Sequence, residues 1–137
     1  LTNVNGTLYF TADNGVNGYK LWKSDGIATT LLSAPNLKRP TGQATASGSN
    51  IYFMNSDSIN GVELWKSNGT TAGTVLVKDI VSGTSSSAPS SLTNVNGTLY
   101  FTANDSVNGQ ELWKSDGTTA GTVLVKLTLS GSQFPKL

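Results

Sequence analysis

The residues able to do chemistry are few, and their types decide much. The chain has no Cys and no His, which removes thiolate nucleophiles, imidazole bases, zinc and haem ligation and any Ser-His-Asp arrangement. Eight carboxylates remain. Glu63 and Glu111 are the only glutamates and both precede a Leu-Trp-Lys-Ser string. Glycoside hydrolysis needs two carboxyl groups facing each other across a substrate. Two residues at one repeat position point in parallel directions instead, so no catalytic residue is assigned and the chain reads as non-catalytic. Asp25 and Asp116 share a position with Asn68, each followed by Gly. Asn keeps the acceptor oxygen and cannot ionise. The position therefore reads as a turn whose side chain accepts backbone N–H groups while Gly supplies positive φ.

Asp13, Asp57 and Asp105 lie in the Asn/Gly-rich loops ADNGVNG, NSDSING and NDSVNG. They are the chain's weak calcium candidates. Calcium takes six to eight oxygens, usually from several carboxylates, and each loop offers one at a drifting position. The dominant reading is a polar turn, with no cofactor expected. Trp22, Trp65 and Trp113 could act as sugar-stacking platforms, but they stand mid-strand among apolar neighbours, and burial between sheets is the expected fate. Tyr9, Tyr52 and Tyr100 recur alike. Four sequons begin at Asn5, Asn68, Asn96 and Asn104, although Asn-Gly-Thr is also a hairpin turn entering a β-branched strand.

These residues are positioned by a repeat. LTNVNGTLYF stands at both 1–10 and 92–101, with a diverged copy through Ile51-Tyr52-Phe53. Leu-Trp-Lys-Ser follows at Leu21, Leu64 and Leu112, with Trp spacings of 43 and 48 residues. The boundaries are drawn at 1–42, 43–90 and 91–137, the first copy being atypical. In the third copy, Ser91–Val95, Thr98–Ala103, Glu111–Ser115 and Thr122–Leu127 read as strands, and Asn96-Gly97 is a type I′ hairpin signal. No segment longer than a turn has a helical apolar period. The expected fold is all-β: three repeats of a four-stranded antiparallel sheet. LYF and VLV are apolar at consecutive positions, which requires cover on both faces of each sheet. Face-to-face stacking supplies it, either radially as β-propeller blades or as a linear β stack.

Glu111 to Thr122 (ELWKSDGTTAGT), with LTNVNGTLYFTA before it, resembles the ELWxxDGT repeat of bacterial secreted and surface proteins. The resemblance spans essentially the whole chain. Copy one departs from it: Lys20 replaces the Glu, Ile27-Ala28 stands where copy three has Thr118-Thr119-Ala120-Gly121, and its connector is PNLKRP (35–40). The resemblance implies propeller-like β units in large extracellular proteins and no defined catalytic activity.

Charged residues make up only 12% of the chain and the net charge is +1, so no field favours nucleic acid or an acidic membrane. Lys38-Arg39 is the one charged pair without a counterpart in the other copies. No apolar run reaches the ~18 residues of a membrane span. Absence of Cys does not fix the compartment, but neutral, Thr/Asn/Ser-rich β sequence points outside the cell or to its surface. The chain starts at Leu1, inside a repeat, and is expected to belong to something longer. Closed propellers usually hold four to eight blades, so three leave both end faces uncovered. The expected partners are copies of itself, in a ring or filament, or further repeats. The functions that follow are an extracellular scaffolding, adhesion or assembly module, a lectin-like propeller binding carbohydrate between blades, or an open fibre-forming surface protein.

Overall fold

A computed structural model describes residues 1–125. Twelve strands form three antiparallel sheets, with no helix among the described residues. Sheet 1 holds β1 (Thr2–Val4), β2 (Thr7–Asp13), β3 (Tyr19–Ser24) and β4 (Thr29–Leu31) in that order. Sheet 2 holds β5 (Thr41–Ser47), β6 (Asn50–Asn55), β7 (Glu63–Ser67) and β8 (Thr74–Lys78), and sheet 3 holds β9 (Ser90–Val95), β10 (Thr98–Asn104), β11 (Gln110–Ser115) and β12 (Val123–Leu124). Each sheet is an unbroken meander, as hairpin-length connections dictate.

The turn chemistry explains the hairpins. Asn5-Gly6 and Asn96-Gly97 both take positive φ, at 51° and 85° and at 52° and 86°, which is the type I′ geometry whose twist matches the strands. The diverged copy reaches the same result differently. Gly48 alone has positive φ, in the type II′ manner, between β5 and β6.

Sheets 2 and 3 begin at Thr41 and Ser90, slightly ahead of the repeat boundaries drawn at 43 and 91. In β5 a bulge between Thr41 and Thr45, with Gly42 at φ 71°, breaks the alternation that would mark the strand's start. In β9 the pairing with β10 shifts beside Ser91, itself at φ 57°. The fourth strand expected over Thr122–Leu127 is seen as Val123–Leu124, and its end lies outside the described residues.

Sheet 2 lies between the other two, and the apolar residues divide by strand parity. Tyr9, Leu21, Leu32 and Leu37 of the first repeat pack on Ile51, Phe53 and Trp65 of the second. On the opposite face, Tyr52, Leu64 and Val77 pack on Leu99, Phe101, Ala103 and Trp113 of the third. The second joint therefore repeats the first, as the consecutive apolar positions require. First strands also bridge neighbouring sheets, Thr2 Oγ1 donating to Ala44 O (3.4 Å) and Thr45 Oγ1 to Leu92 O (3.2 Å).

Candidate functional site

The recurring polar residues converge on the turn that follows each Trp-Lys-Ser string. In that turn the Ser hydroxyl accepts from the amide two residues on: Gly26 to Ser24 (3.1 Å), Gly69 to Ser67 (3.1 Å) and Gly117 to Ser115 (3.0 Å). The next side chain accepts in turn. Asp25 Oδ1 takes the amides of Ile27 (2.9 Å) and Ala28 (2.8 Å), and Asn68 Oδ1 takes the amide of Thr70 (3.0 Å). Asp116 Oδ1 takes the amide (2.9 Å) and hydroxyl (2.6 Å) of Thr118. These donors hold the carboxyls of Asp25 and Asp116 below the usual carboxylate range. Gly26, Gly69 and Gly117 have φ near +90° (90°, 92° and 93°), a region closed to most side chains. Gly73 and Gly121 serve the longer turns of copies two and three: a Cβ on either would lie 1.9 Å from the Oδ1 of Asn68 or Asp116.

The turns of copies two and three are each gripped by the preceding sheet. Lys66 Nζ of β7 donates to Gly117 O (2.5 Å), and a Cβ on Gly117 would lie 2.6 Å from the Tyr52 hydroxyl. The same Tyr-Lys placement recurs one joint earlier, by proximity alone: a Cβ on Gly69 would meet the Tyr9 hydroxyl at 2.8 Å and Lys23 Nζ at 3.5 Å. Tyr9 pairs with Lys23 across β2 and β3, and Tyr52 with Lys66 across β6 and β7, so sheet register builds each clasp. Burial raises the phenol pKa of both tyrosines. A threonine hook completes each joint, Thr71 Oγ1 donating to Leu31 O (3.3 Å) and Thr119 Oγ1 to Val77 O (2.8 Å). Lys78 Nζ reaches Thr122 O (3.0 Å) and lies 5.9 Å from the Trp113 ring centroid.

Trp65 and Trp113 are each 6% exposed within these joints, while Trp22 on the outer side of sheet 1 is half-buried. Trp113 stacks on Phe101 at 6.5 Å between centroids. Trp22 Nε1 donates to Ala12 O (3.1 Å), whereas the indole N–H groups of Trp65 and Trp113 find no partner among the described residues.

Glu63 is fully buried, and its carboxylate is an anchor for the connector to the third repeat. It accepts the amides of Ile80, Val81 and Ser87, all at 3.2 Å, and the Ser87 hydroxyl at 2.5 Å. Burial nevertheless pushes its pKa up, against the pull of those donors. Lys20 holds the equivalent place in the first repeat and donates to Pro35 O (3.2 Å) and Leu37 O. Glu111, also buried, has an Oε2 without a partner among the described residues.

The three candidate calcium aspartates belong to separate sheets, Asp13 at the end of β2 and Asp57 and Asp105 in the loops after β6 and β10. Asp13 Oδ1 accepts the Gly15 amide (2.7 Å). Asp57 accepts the amides of Ile59 and Asn60 and the Asn60 side-chain amide, and Asp105 does the same with Val107 and Asn108. Partial burial of Asp57 and Asp105 works against ionisation, but these donors outweigh it and leave both carboxyls below their ordinary range. No group of three potential metal ligands occurs among the described residues. The basic pair separates: the Arg39 guanidinium lies over the Tyr19 ring at 4.1 Å, and Lys38 lines a polar hollow of about 300 Å³ with Asp57, Asn60 and Ser86.

No protein-family model, curated protein or solved structure matches the chain. Sequence reading identified Asp25, Asn68 and Asp116 as one position and saw that Lys23, Lys66 and Lys114 recur. It did not identify the Tyr-Lys clasp. The signal was there in the shared two-residue frame of LYF and LWK, but which sheet each pair faces depends on stacking order.

Proposed function

We propose that the chain is a non-catalytic repeat module whose work is assembly: a rigid stack of β blades that presents polar loops and joins to further units of its own kind. The observation that carries this reading is the clasp. Its tyrosines, lysines and turn glycines recur in every copy, and in both internal joints they are used to hold one sheet against the next. Residues repeated for a substrate would be expected to converge on a common cavity instead. The ELWxxDGT resemblance agrees with this reading and adds a setting, extracellular or at the cell surface, with scaffolding or adhesion as the role and a propeller arc as the geometry.

Among the described residues no sheet covers the two end faces, and this supplies the second support. Leu8, Phe10 and Trp22 line the outer side of sheet 1, with Leu8 38% exposed, and their counterparts Ile51, Phe53 and Trp65 are buried in a joint. Tyr100 and Leu112 on the outer side of sheet 3 are likewise half-buried, where Tyr52 and Leu64 are buried. Light scattering over a wide concentration range tests the reading: growth of the particle mass with concentration is expected, and a monomer at every concentration would contradict it. A carbohydrate role would centre on the hollow beside Lys38 and Asp57, and a glycan array with Asp57→Ala as control distinguishes it.

A further inference from the structure

We propose that the chain associates head to tail, the outer face of sheet 3 receiving the outer face of sheet 1 of a second copy, with Tyr100 and Lys114 gripping that copy's Asp25-Gly26 turn. This rests on the assembly reading above and gives it a polarity and an address.

The two internal joints are the template. In each, one sheet presents a Tyr and a Lys paired across its second and third strands, and the next presents a Ser-Asx-Gly turn beside an aliphatic-Phe-Trp face. Each sheet thus has a gripping face and a gripped face. Sheet 3 retains its gripping face: Tyr100 pairs with Lys114 across β10 and β11, and Lys114 is exposed. Sheet 1 retains its gripped face, with Leu8, Phe10 and Trp22 beside the exposed Asp25-Gly26 turn.

Space and charge agree. A Cβ built on Gly26 meets nothing within 4 Å, while the same atom on Gly69 or Gly117 meets a tyrosine hydroxyl. The slot that a phenol fills at both internal joints is therefore open at Gly26. Lys66 lies close enough to Asp116 to favour its ionised form, and Lys114 and Asp25 would reproduce that pairing of opposite charges between chains. One element is missing. The first turn carries Ile27-Ala28 and has no threonine at the place of Thr71 and Thr119, whose hydroxyls hook the preceding sheet. The intermolecular joint lacks that hydrogen bond, so it is expected to be weaker than the internal ones and to depend on concentration.

A contact between two different faces is heterologous, which gives a distinctive test by complementation. Sedimentation velocity on the full 137-residue chain is compared with Lys114→Glu and with Leu8→Asp, both substitutions at exposed positions, and circular dichroism checks that each variant is folded. Each variant alone is expected to weaken association by at least about tenfold. An equimolar mixture is expected to form a 1:1 dimer and nothing larger, because one intact face of each kind remains. A wild-type chain that associates but ignores both substitutions would overturn this inference and leave assembly standing. A mixture that fails to complement would also overturn it. A wild-type chain that stays monomeric would remove both.

Discussion

Lys20 and Glu63 occupy the same place in successive repeats and carry opposite charges, and the backbone each one meets has opposite polarity. Lys20 Nζ donates to the carbonyls of Pro35 and Leu37, whereas Glu63 accepts the amides of Ile80, Val81 and Ser87. The charge at this position and the path of the following connector have changed together. Either side chain placed against the other connector would bury a charge among groups of its own sign.

Glu63→Lys is accordingly expected to destabilise the chain by about 3 kcal/mol or more, since it brings a cation to three amide donors. Glu63→Gln, which keeps the shape and some acceptor capacity, should cost less. Urea unfolding checks the order of the two, and an equal cost would contradict the anchor role.

The acid dependence should carry two opposing slopes. The raised pKa of Glu63 means that the folded state holds this proton more tightly than the unfolded state. Its contribution to stability is greatest at low pH and declines as pH rises from the ordinary carboxylate value through the raised one. Asp57 and Asp105 have lowered pKa values, so their contribution is present above the ordinary value and is lost as pH falls through the depressed one. Between about pH 4 and neutrality, the wild-type chain should lose stability relative to Glu63→Gln. Below that range it should lose stability relative to Asp57→Asn. Unfolding free energies measured from pH 3 to 7 check both signs.

The three turn glycines share a backbone conformation and differ in what stands over them. Gly26→Ala meets open space and should cost about 1–2 kcal/mol for the left-handed backbone alone. Gly117→Ala adds a clash with the Tyr52 hydroxyl and should cost a further 1–3 kcal/mol or so. Thermal or urea melts of the two variants give the comparison, and indistinguishable costs would argue against the clasp.

Thr119→Val removes the hook to Val77 O while keeping the side-chain shape. A loss of about 1 kcal/mol is expected. A change confined to sheet 3, with protection of Val77 and its neighbours unaltered in hydrogen exchange, would contradict a joint between sheets.

Much of this architecture was legible because local and tertiary signals agree. Asn96-Gly97 marks a hairpin by chemistry that needs no partner, and the consecutive apolar residues of LYF announce two covered faces. Gly48 shows the limit: without an Asn-Gly signal, the diverged hairpin was located only by its neighbours Ile51-Tyr52-Phe53. The departures at Lys20 and in the 35–40 connector were visible as separate oddities. Their link was not, since it depends on whether carbonyls or amides point at the buried position. The clasp was hidden for a similar reason. Tyr9 reads as a core aromatic and Lys23 as one member of a recurring Leu-Trp-Lys-Ser string until the register across β2 and β3 sets them side by side over Gly69.

The central claim is that the sheets are stable because their faces are pressed together. It is tested most directly by urea unfolding of variants that retain one tryptophan each, with the other two replaced by Phe. If the joints hold the stack together, Trp22 in sheet 1 and Trp113 in sheet 3 will report one transition with the same midpoint and slope. Two separated transitions would mean that the sheets stand alone, and would contradict it.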